Sequence, residues 1–526
     1  MRNYPMQTVL AATAISLTLL ATPAIAQSIW YVAPEGSSTS NSDGSRSAPF
    51  LSIYDALQSS NFQPGDTILL MDGNHGTFRL WNYYYDRTVT IQAENPHKAH
   101  LDWVLFQGNT SNITLRNLAV WPRDPKMTVQ HGVVDAHGGT SHITVDGVEV
   151  RSHPDSSNYR NWSSEDWKTL RRNGIHLSGA HSAILNSTTT GIANGITTYG
   201  SDSRMIGNQV FGFAADGMRA LGNNSLVQGN YVADCVNVDG NHDDGFQSWT
   251  TNGPQIGLTL DSNRILEWTG APDHPLRCSL QGIGLFDGVY QDLKILNNVV
   301  AISHWHGISV YGAENAYIAN NTVVNIDGIS DKAPWLMIHP HSASIPSRNV
   351  VVANNVAMHI RIDSTTENAT VVNNTEIRYP HAMFQDIQAF DYRPRLDSGL
   401  IDTGDLGTAP PVDILGSPRP QGAGPDRGAY EIGDEDATFG ETDPTLIDVV
   451  NDPVDTIVDE PIAEVDPVPE PIAEEPSDDS AENTSGRPVR ARGRNHKTID
   501  DMGDTLEEEV TETEKTNNRR ILPKFQ

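Results

Sequence analysis

The feature that most restricts the fold is a repeat in which each unit opens on a polar residue, a glycine and an apolar residue. It reads "NGIHLSG" at Asn173, "NGITTYG" at Asn194, "DGMRALG" at Asp216, "DGFQSWT" at Asp244, "QGIGLFD" at Gln281 and "HGISVYG" at His306. The glycines stand at 174, 195, 217, 245, 282 and 307, in steps of 21, 22, 28, 37 and 25 residues. Each unit runs on into a second short segment rich in Asn and β-branched residues, as in "NSLVQGNYVAD", "LKILNNVVAIS" and "AYIANNTVVNID". Helical spacing is absent between about Asn109 and Thr375. Units of this length, with several short strands and Asn or Gly at the corners, predict an all-β parallel solenoid in which every coil covers its neighbour. A sandwich would place Asn-Gly between the strands of a hairpin, and no propeller-blade signature is present. The longer steps predict inserted loops, "APDHPLRC" before Gln281 and "RSHPDSSNYRNWSSEDWKTLRR" before Asn173.

Outside the repeat the composition changes. Residues 1–26 have a basic start at Arg2, an apolar run from about Thr8 to Leu20 and an Ala-x-Ala pattern before Gln27, which reads as a secretory signal cleaved after Ala26. The apolar run is shorter than the roughly 20 residues that a bilayer span needs, so a secreted, extracellular or periplasmic protein is expected, with no transmembrane segment. From Asp434 to the end, a Pro, Asp and Glu tract with few aromatics predicts a disordered acidic tail, leaving residues 27–433 as the folded domain. The tail carries 26 acidic and 9 basic residues of the 66 and 35 in the chain, and the remainder is acidic too. That balance argues against nucleic acid as a partner. Two cysteines in a chain of this size, Cys235 and Cys278, cannot hold the fold together, though they are free to form one bridge. A monomer is expected.

In a solenoid, equivalent positions on successive coils stack about 4.8 Å apart, so sequence spacing becomes columns of side chains. The residues after the glycines, Ile175, Ile196, Met218, Phe246, Ile283 and Ile308, are expected to face inward. The next column, His176, Thr197, Arg219, Gln247, Gly284 and Ser309, then faces out. Two residues further stand Ser178, Tyr199, Leu221, Trp249, Phe286 and Tyr311. A one-residue slip would turn these aromatics into core; facing out, they form a platform on which sugar rings stack. Asp216, Asp243, Asp244 and Asp239 fall close together, and such carboxylates stay ionised only if a cation or a shared proton relieves the repulsion. Ca²⁺ and an acid/base pair are the two chemical solutions. Asx turn-capping explains Asn173 and Asn194 but not a doubled aspartate.

The coils resemble the right-handed parallel β-helix of pectate-lyase-like proteins. The resemblance extends to the opening segment from "WYVAPEG", where a short helix caps the first coil, and to the closing segment "DILGSPRPQGAGPDRGAYEIG". It runs from about Ile29 to Gly433. "ADGMRALGNNSLVQGNYVADCVNVDGNHDDGFQSW" is similar to calcium-dependent pectate lyases of polysaccharide lyase family nine. That resemblance implies Asp216, Asp243 and Asp244 as Ca²⁺ ligands; the family's fourth aspartate falls at Gln247 and its lysine base at Gly284. "DDG" followed by "HWHGISVYG" also resembles the polygalacturonases, inverting hydrolases, which implies Asp216, Asp243, Asp244 and His306 instead.

The expected function is that of a lyase cleaving a uronic-acid polysaccharide by β-elimination with Ca²⁺ assistance, which needs a neutralised carboxylate and a base for the adjacent proton. Arg219 is the candidate carboxylate clamp. His176 is the candidate base, and Lys168, in the insertion before it, is the alternative. Tyr199, Trp249, Phe286, Tyr311 and His306 are the candidate substrate-binding residues. An inverting hydrolase using the aspartates, or a carbohydrate-binding surface protein without catalysis, remains open.

Overall fold

The computed structural model describes residues 27–433 apart from 39–40, 251–252, 330–332 and 342–344; the expected leader and acidic tail lie outside the described residues. Three long parallel sheets form the body. One has 13 strands, from Ile29–Val32 to Thr370–Val372, one has 12, from Gly73–Asn74 to Thr375–Glu376, and one has 11, from Thr77–Trp81 to His359–Ile362. The chain visits them in turn. Ala183–Leu185, Thr188–Ile192 and Ile196–Thr198 make one coil, and Arg204–Ile206 opens the next in parallel with Ala183–Leu185. The fold is a right-handed parallel β-helix. Helix is confined to short pieces, among them Ile53–Gln58, which is capped by Ser52 and buries Ile53 and Ala56 against the first coils. Among the described residues, no helix is long and apolar enough to cross a membrane.

Two corners hold the coils in register. Between the 13- and 12-stranded sheets, a left-handed residue such as Asn186, Gly207, Gly229, Ser262, Asn297, Asn320, Asn354 or Asn373 turns the chain. The following residue in seven of these coils is a buried or half-buried asparagine whose Oδ1 accepts the backbone N–H one coil earlier. Asn230 N–H donates to Asn263 Oδ1 at 3.1 Å, Asn263 N–H to Asn298 at 3.0 Å, and Asn298 N–H to Asn321 at 3.0 Å. Each amide group also donates onward: Asn263 Nδ2 reaches Val227 O and Asn298 Oδ1, both at 2.9 Å. Backbone polar groups that the turn would strand inside the protein are thereby paired.

At the second corner, where the 12-stranded sheet hands over to the 11-stranded one, the repeat's glycines meet the next coil. A Cβ on Gly195 would lie 2.3 Å from the carbonyl oxygen of Gly217, and one on Gly282 would lie 2.2 Å from that of Gly307. Close approach of coil to coil demands glycine here. Gly132 belongs to the same series, its Cβ direction pointing at Gly174 O, so the repeat starts a coil earlier than its glycine spacing suggests.

The register bears out the inward column: Ile175, Ile196, Met218, Phe246, Ile283 and Ile308 pair in sequence and all are buried. Both expected insertions enter at the glycine corner, at the edge of the 11-stranded sheet. The first carries a 3-10 turn, Ser156–Asn161, and a helix, Ser164–Leu170, and packs Tyr159, Trp162 and Trp167 against Ala214, Val236 and Trp268. Tyr159 and Arg160 bond the buried Asp234 carboxylate. Cys235 and Cys278 form a disulfide, Cα atoms 5.5 Å apart, that ties the second insertion to the coil before it across 43 residues. Closing a loop of that length stabilises by about 3–4 kcal/mol.

The ladder makes a stability prediction. Asn263→Ala strands the N–H and Nδ2 of Asn230 and the carbonyl of Val227 in the interior. Equilibrium denaturation should therefore show a loss of about 2–4 kcal/mol. A loss within experimental error would show that the ladder does not hold the coils.

Candidate active site

The outward column lies on the 11-stranded sheet. Asp135, His176, Thr197, Arg219, Gln247, Gly284, Ser309, Met337 and Arg361 succeed one another by direct strand pairing. The second outward column departs from expectation at one rung. The register shifts after Ser248, so Trp249 pairs with Asp287 and Phe286 is displaced from the stack. Its ring turns toward the later coils, 5.1 Å from His306 and 5.3 Å from Tyr311. Tyr199 faces outward, 45% exposed, beside His176 at 5.3 Å between ring centres. Trp249 lies under Arg219, 5.5 Å from the guanidinium to the ring centre.

A polar ladder runs along the start of these strands. Asn173 Oδ1 accepts from Asn194, Asn194 Oδ1 accepts the Asp216 N–H at 3.3 Å, and Asp216 Oδ1 accepts the Asp244 N–H at 3.1 Å. Turn-capping therefore accounts for Asn173, Asn194 and one oxygen of Asp216. The ladder stops at Asp244. The next N–H, that of Gln281, goes to the Asp243 carbonyl, and Asp244 Oδ1 is buried without a partner. Its Oδ2 accepts from Gln247 Nε2 at 3.2 Å. Gly284 makes the space: a Cβ there would lie 2.5 Å from Asp244 Oδ1.

Burial raises the carboxyl of Asp244 well above its ordinary range, with the nearby Asp216 and Asp243 adding to the effect. Asp243 is pushed up to about 7, by burial first and by Asp216 second. Asp216 is raised by burial although Arg219 pairs with it through Nε and Nη2. Asp239 is placed otherwise, bonded to Arg171 at 2.5 Å and lowered by that contact despite partial burial. Among the four candidate metal ligands, Asp216 and Asp239 thus have arginine partners, while Asp243 and Asp244 keep oxygens to offer. An unpartnered buried oxygen beside a second raised carboxyl suits a hard cation such as Ca²⁺, although among the described residues Asp216, Asp243 and Asp244 are not drawn together as a set of three close donors. The trio formed by Asp243 with Cys235 and Cys278 is not a metal site, because the two sulfurs are bonded to each other.

Two strand pairings before Arg219, at His176, stands a centre only half legible in the sequence. The fully buried Asp135 accepts His176 Nδ1–H on one oxygen and His137 Nε2–H on the other, each at 3.0 Å, and the His131 N–H at 3.3 Å. With Nδ1–H committed to a carboxylate, the Nε2 lone pair of His176 is left as its basic atom. The signal was present in "HGVVDAH", where Gly132 marks a repeat head and Asp135 falls one coil before His176 in the outward column.

Lys168 lies on the exposed side of the insertion helix, with Asp239 the carboxylate its charge acts on. His306 is held neutral, its imidazole driven down to about 3 by burial and by His304 and His242.

No family model matches this chain, and no curated protein does. Solved structures do. The PL6 family alginate lyase AlyGC is 12% identical, over 70% of this chain and 56% of that one, at a TM-score of 0.36. A rhamnogalacturonan lyase is 12% identical over 71% and 94%, at 0.34. The A-module of Azotobacter vinelandii mannuronan C-5 epimerase AlgE6 is 13% identical over 62% and 93%, at 0.31. The chain thus spans little more than half the length of AlyGC, and the likeness is one of fold.

The carboxyl cluster predicts a pH dependence. A folded-state value near 7 against an unfolded value near 3.8 means that Asp243 favours folding fully at low pH, and that this contribution is lost as pH rises through about 7. Asp426, also raised to about 7 by burial, adds to the same trend. Melting temperature without divalent cation should therefore fall between about pH 5 and about pH 8, less steeply in Asp243→Asn, and Ca²⁺ should restore it at the upper end. Identical pH profiles for both proteins would contradict the placement of Asp243.

Proposed function

We propose that the chain is a polysaccharide lyase that cleaves a uronate-containing polysaccharide by β-elimination on the outer face of the 11-stranded sheet. The observation that carries this reading is one column holding an Asp135-anchored imidazole and, two strand pairings on, the guanidinium of Arg219. The two pairings separate their backbones by about 10 Å, room for one sugar ring between base and cation. Thr197 is the residue between them.

In β-elimination the proton α to a carboxylate is removed while the carboxylate takes up charge. Arg219, fixed by Asp216 and backed by Trp249, would bind that carboxylate and stabilise the developing enolate. His176 would take the C5 proton on Nε2, with Asp135 stabilising the imidazolium formed. The C4–O4 bond then breaks, leaving a double bond between C4 and C5 conjugated with the carboxylate, and the departing O4 takes up a proton from the imidazolium or from water. Tyr199 gives the sugar an exposed ring to stack on. Asp243 and Asp244 are the residues that would hold Ca²⁺. When bound, the ion would supply further positive charge toward the substrate carboxylate.

A second reading rests on the raised carboxyls themselves. Asp243 near 7 and Asp244, raised well above its ordinary range by burial, would suit the acid of an inverting hydrolase. The products decide. Incubation with alginate, polygalacturonate, glucuronan and glycosaminoglycans should raise near-ultraviolet absorbance and reducing ends together on at least one of them. Reducing ends alone would establish hydrolysis, and binding with neither signal would establish a carbohydrate-binding scaffold. On the substrate that responds, His176→Ala should lower turnover by about a hundredfold to ten-thousandfold, the range for removing a general base. Unchanged turnover in that variant would remove His176 from the chemistry.

A further inference from the structure

Beyond the cluster around Arg219, the same sheet carries a second surface group at its C-terminal end. Trp305 is 57% exposed and lies nearly parallel to Trp335, ring centres 6.2 Å apart at 19°. Trp335 is fixed from below, its Nε1–H donating to Ser309 Oγ at 2.9 Å, and from the side by His306 at 5.0 Å. Arg361, exposed at the end of the outward column, holds its guanidinium 4.8 Å from the centre of the Trp335 ring. No carboxylate is paired with Arg361 among the described residues; Asp363, on the same side of its strand, is turned to Thr365 and lies 4.0 Å from His339.

An exposed, orientated indole is costly to leave in water and is a natural platform for the apolar face of a sugar ring. An adjacent guanidinium without an acid partner adds selectivity for an anionic ring, since it can bind a carboxylate through two parallel hydrogen bonds. Position along the groove follows from register. Arg361 stands five strand pairings from Arg219, about 24 Å along the axis, and a glycan laid along that axis places roughly one sugar per coil.

We infer that Trp305, Trp335 and Arg361 form a distal subsite for uronate sugars, so that the protein binds a long acidic chain reaching from Arg219 to Arg361. This deepens the lyase reading by fixing substrate length, and it rests on that reading only for the site at Arg219. One sugar stacks on Trp305, and the carboxylate of a neighbouring sugar meets Arg361. Short oligomers held at Arg219 do not reach this group; longer ones do.

The test is a binding titration, read by calorimetry and by tryptophan fluorescence, with trimers and octamers of galacturonate and of mannuronate, and with a neutral xylan octamer as control. The full chain should bind the octamer of at least one uronate about tenfold or more tighter than its trimer, a gain that the neutral octamer lacks. Trp305→Ala and Arg361→Gln, both at exposed positions, should each remove most of that advantage, with melting temperature checked for both. An advantage that survives both variants, one shown equally by the neutral octamer, or none in the unmodified protein would overturn the subsite. Cleavage is scored separately. An intact octamer advantage without a conjugated product would sink the lyase reading and leave the subsite standing.

Discussion

The buried asparagine ladder is the interaction on which the rest of the molecule depends. A parallel β-helix has to turn its chain three times per coil, and each turn threatens to leave peptide groups unpaired inside the protein. At the corner between the 13- and 12-stranded sheets the left-handed turn residue and the following asparagine solve this identically coil after coil, from Asn208 to Asn374. That corner therefore admits no insertions, and the strands beside it cannot slip by one residue without breaking a rung. Length varies at the other two corners, and at the glycine corner the loops with Trp162, Trp167 and Trp268 gather at the edge of the 11-stranded sheet. The rigid corner and the glycine corner together set the outer face of that sheet as the place where a site is built.

The chemistry follows from where a second ladder fails. Polar side chains at the heads of the site strands pass a hydrogen bond from Asn173 to Asn194, Asp216 and Asp244, and the last has no successor. A carboxylate oxygen left unpaired in the interior is a destabilised group, and its burial together with Asp216 and Asp243 pushes the cluster toward protonation or toward a cation. Folded proteins tolerate such a fault where function uses it. The carboxylate fits there because residue 284 has no Cβ, which would otherwise meet both Asp244 Oδ1 and the Phe286 ring. On the proposed lyase reading the base comes from elsewhere on the column, where the imidazole of His176, anchored on Asp135, would supply it.

Much of this was legible in the sequence because a solenoid converts spacing directly into columns. The glycine series gave the inward stack from Ile175 to Ile308 and the outward pair His176 and Arg219. Three things were not legible. The bulge after Ser248 moved Phe286 off the Trp249 rung, because an extra residue in one strand leaves no mark in composition. The partner of Asp239 was not legible, because the insertion brings Arg171 to it from 68 residues away. Asp135 was missed because its coil is separated from the next by the long insertion, which hid Gly132 as a member of the series. Long-range partners of this kind are set by loop packing, which the repeat does not encode.

On the proposed reading, one outward column both binds the sugar carboxylate and removes the proton beside it. A crystal structure of His176→Ala, inactive in this account, with a bound uronate octamer tests it most directly. The predicted result is a glycan running along the helix axis on the 11-stranded sheet, one carboxylate hydrogen-bonded to Arg219 and the C5 of that sugar facing the vacated side chain of residue 176. A glycan crossing the strands, lying on another sheet, or directing its carboxylate away from Arg219 would contradict the account.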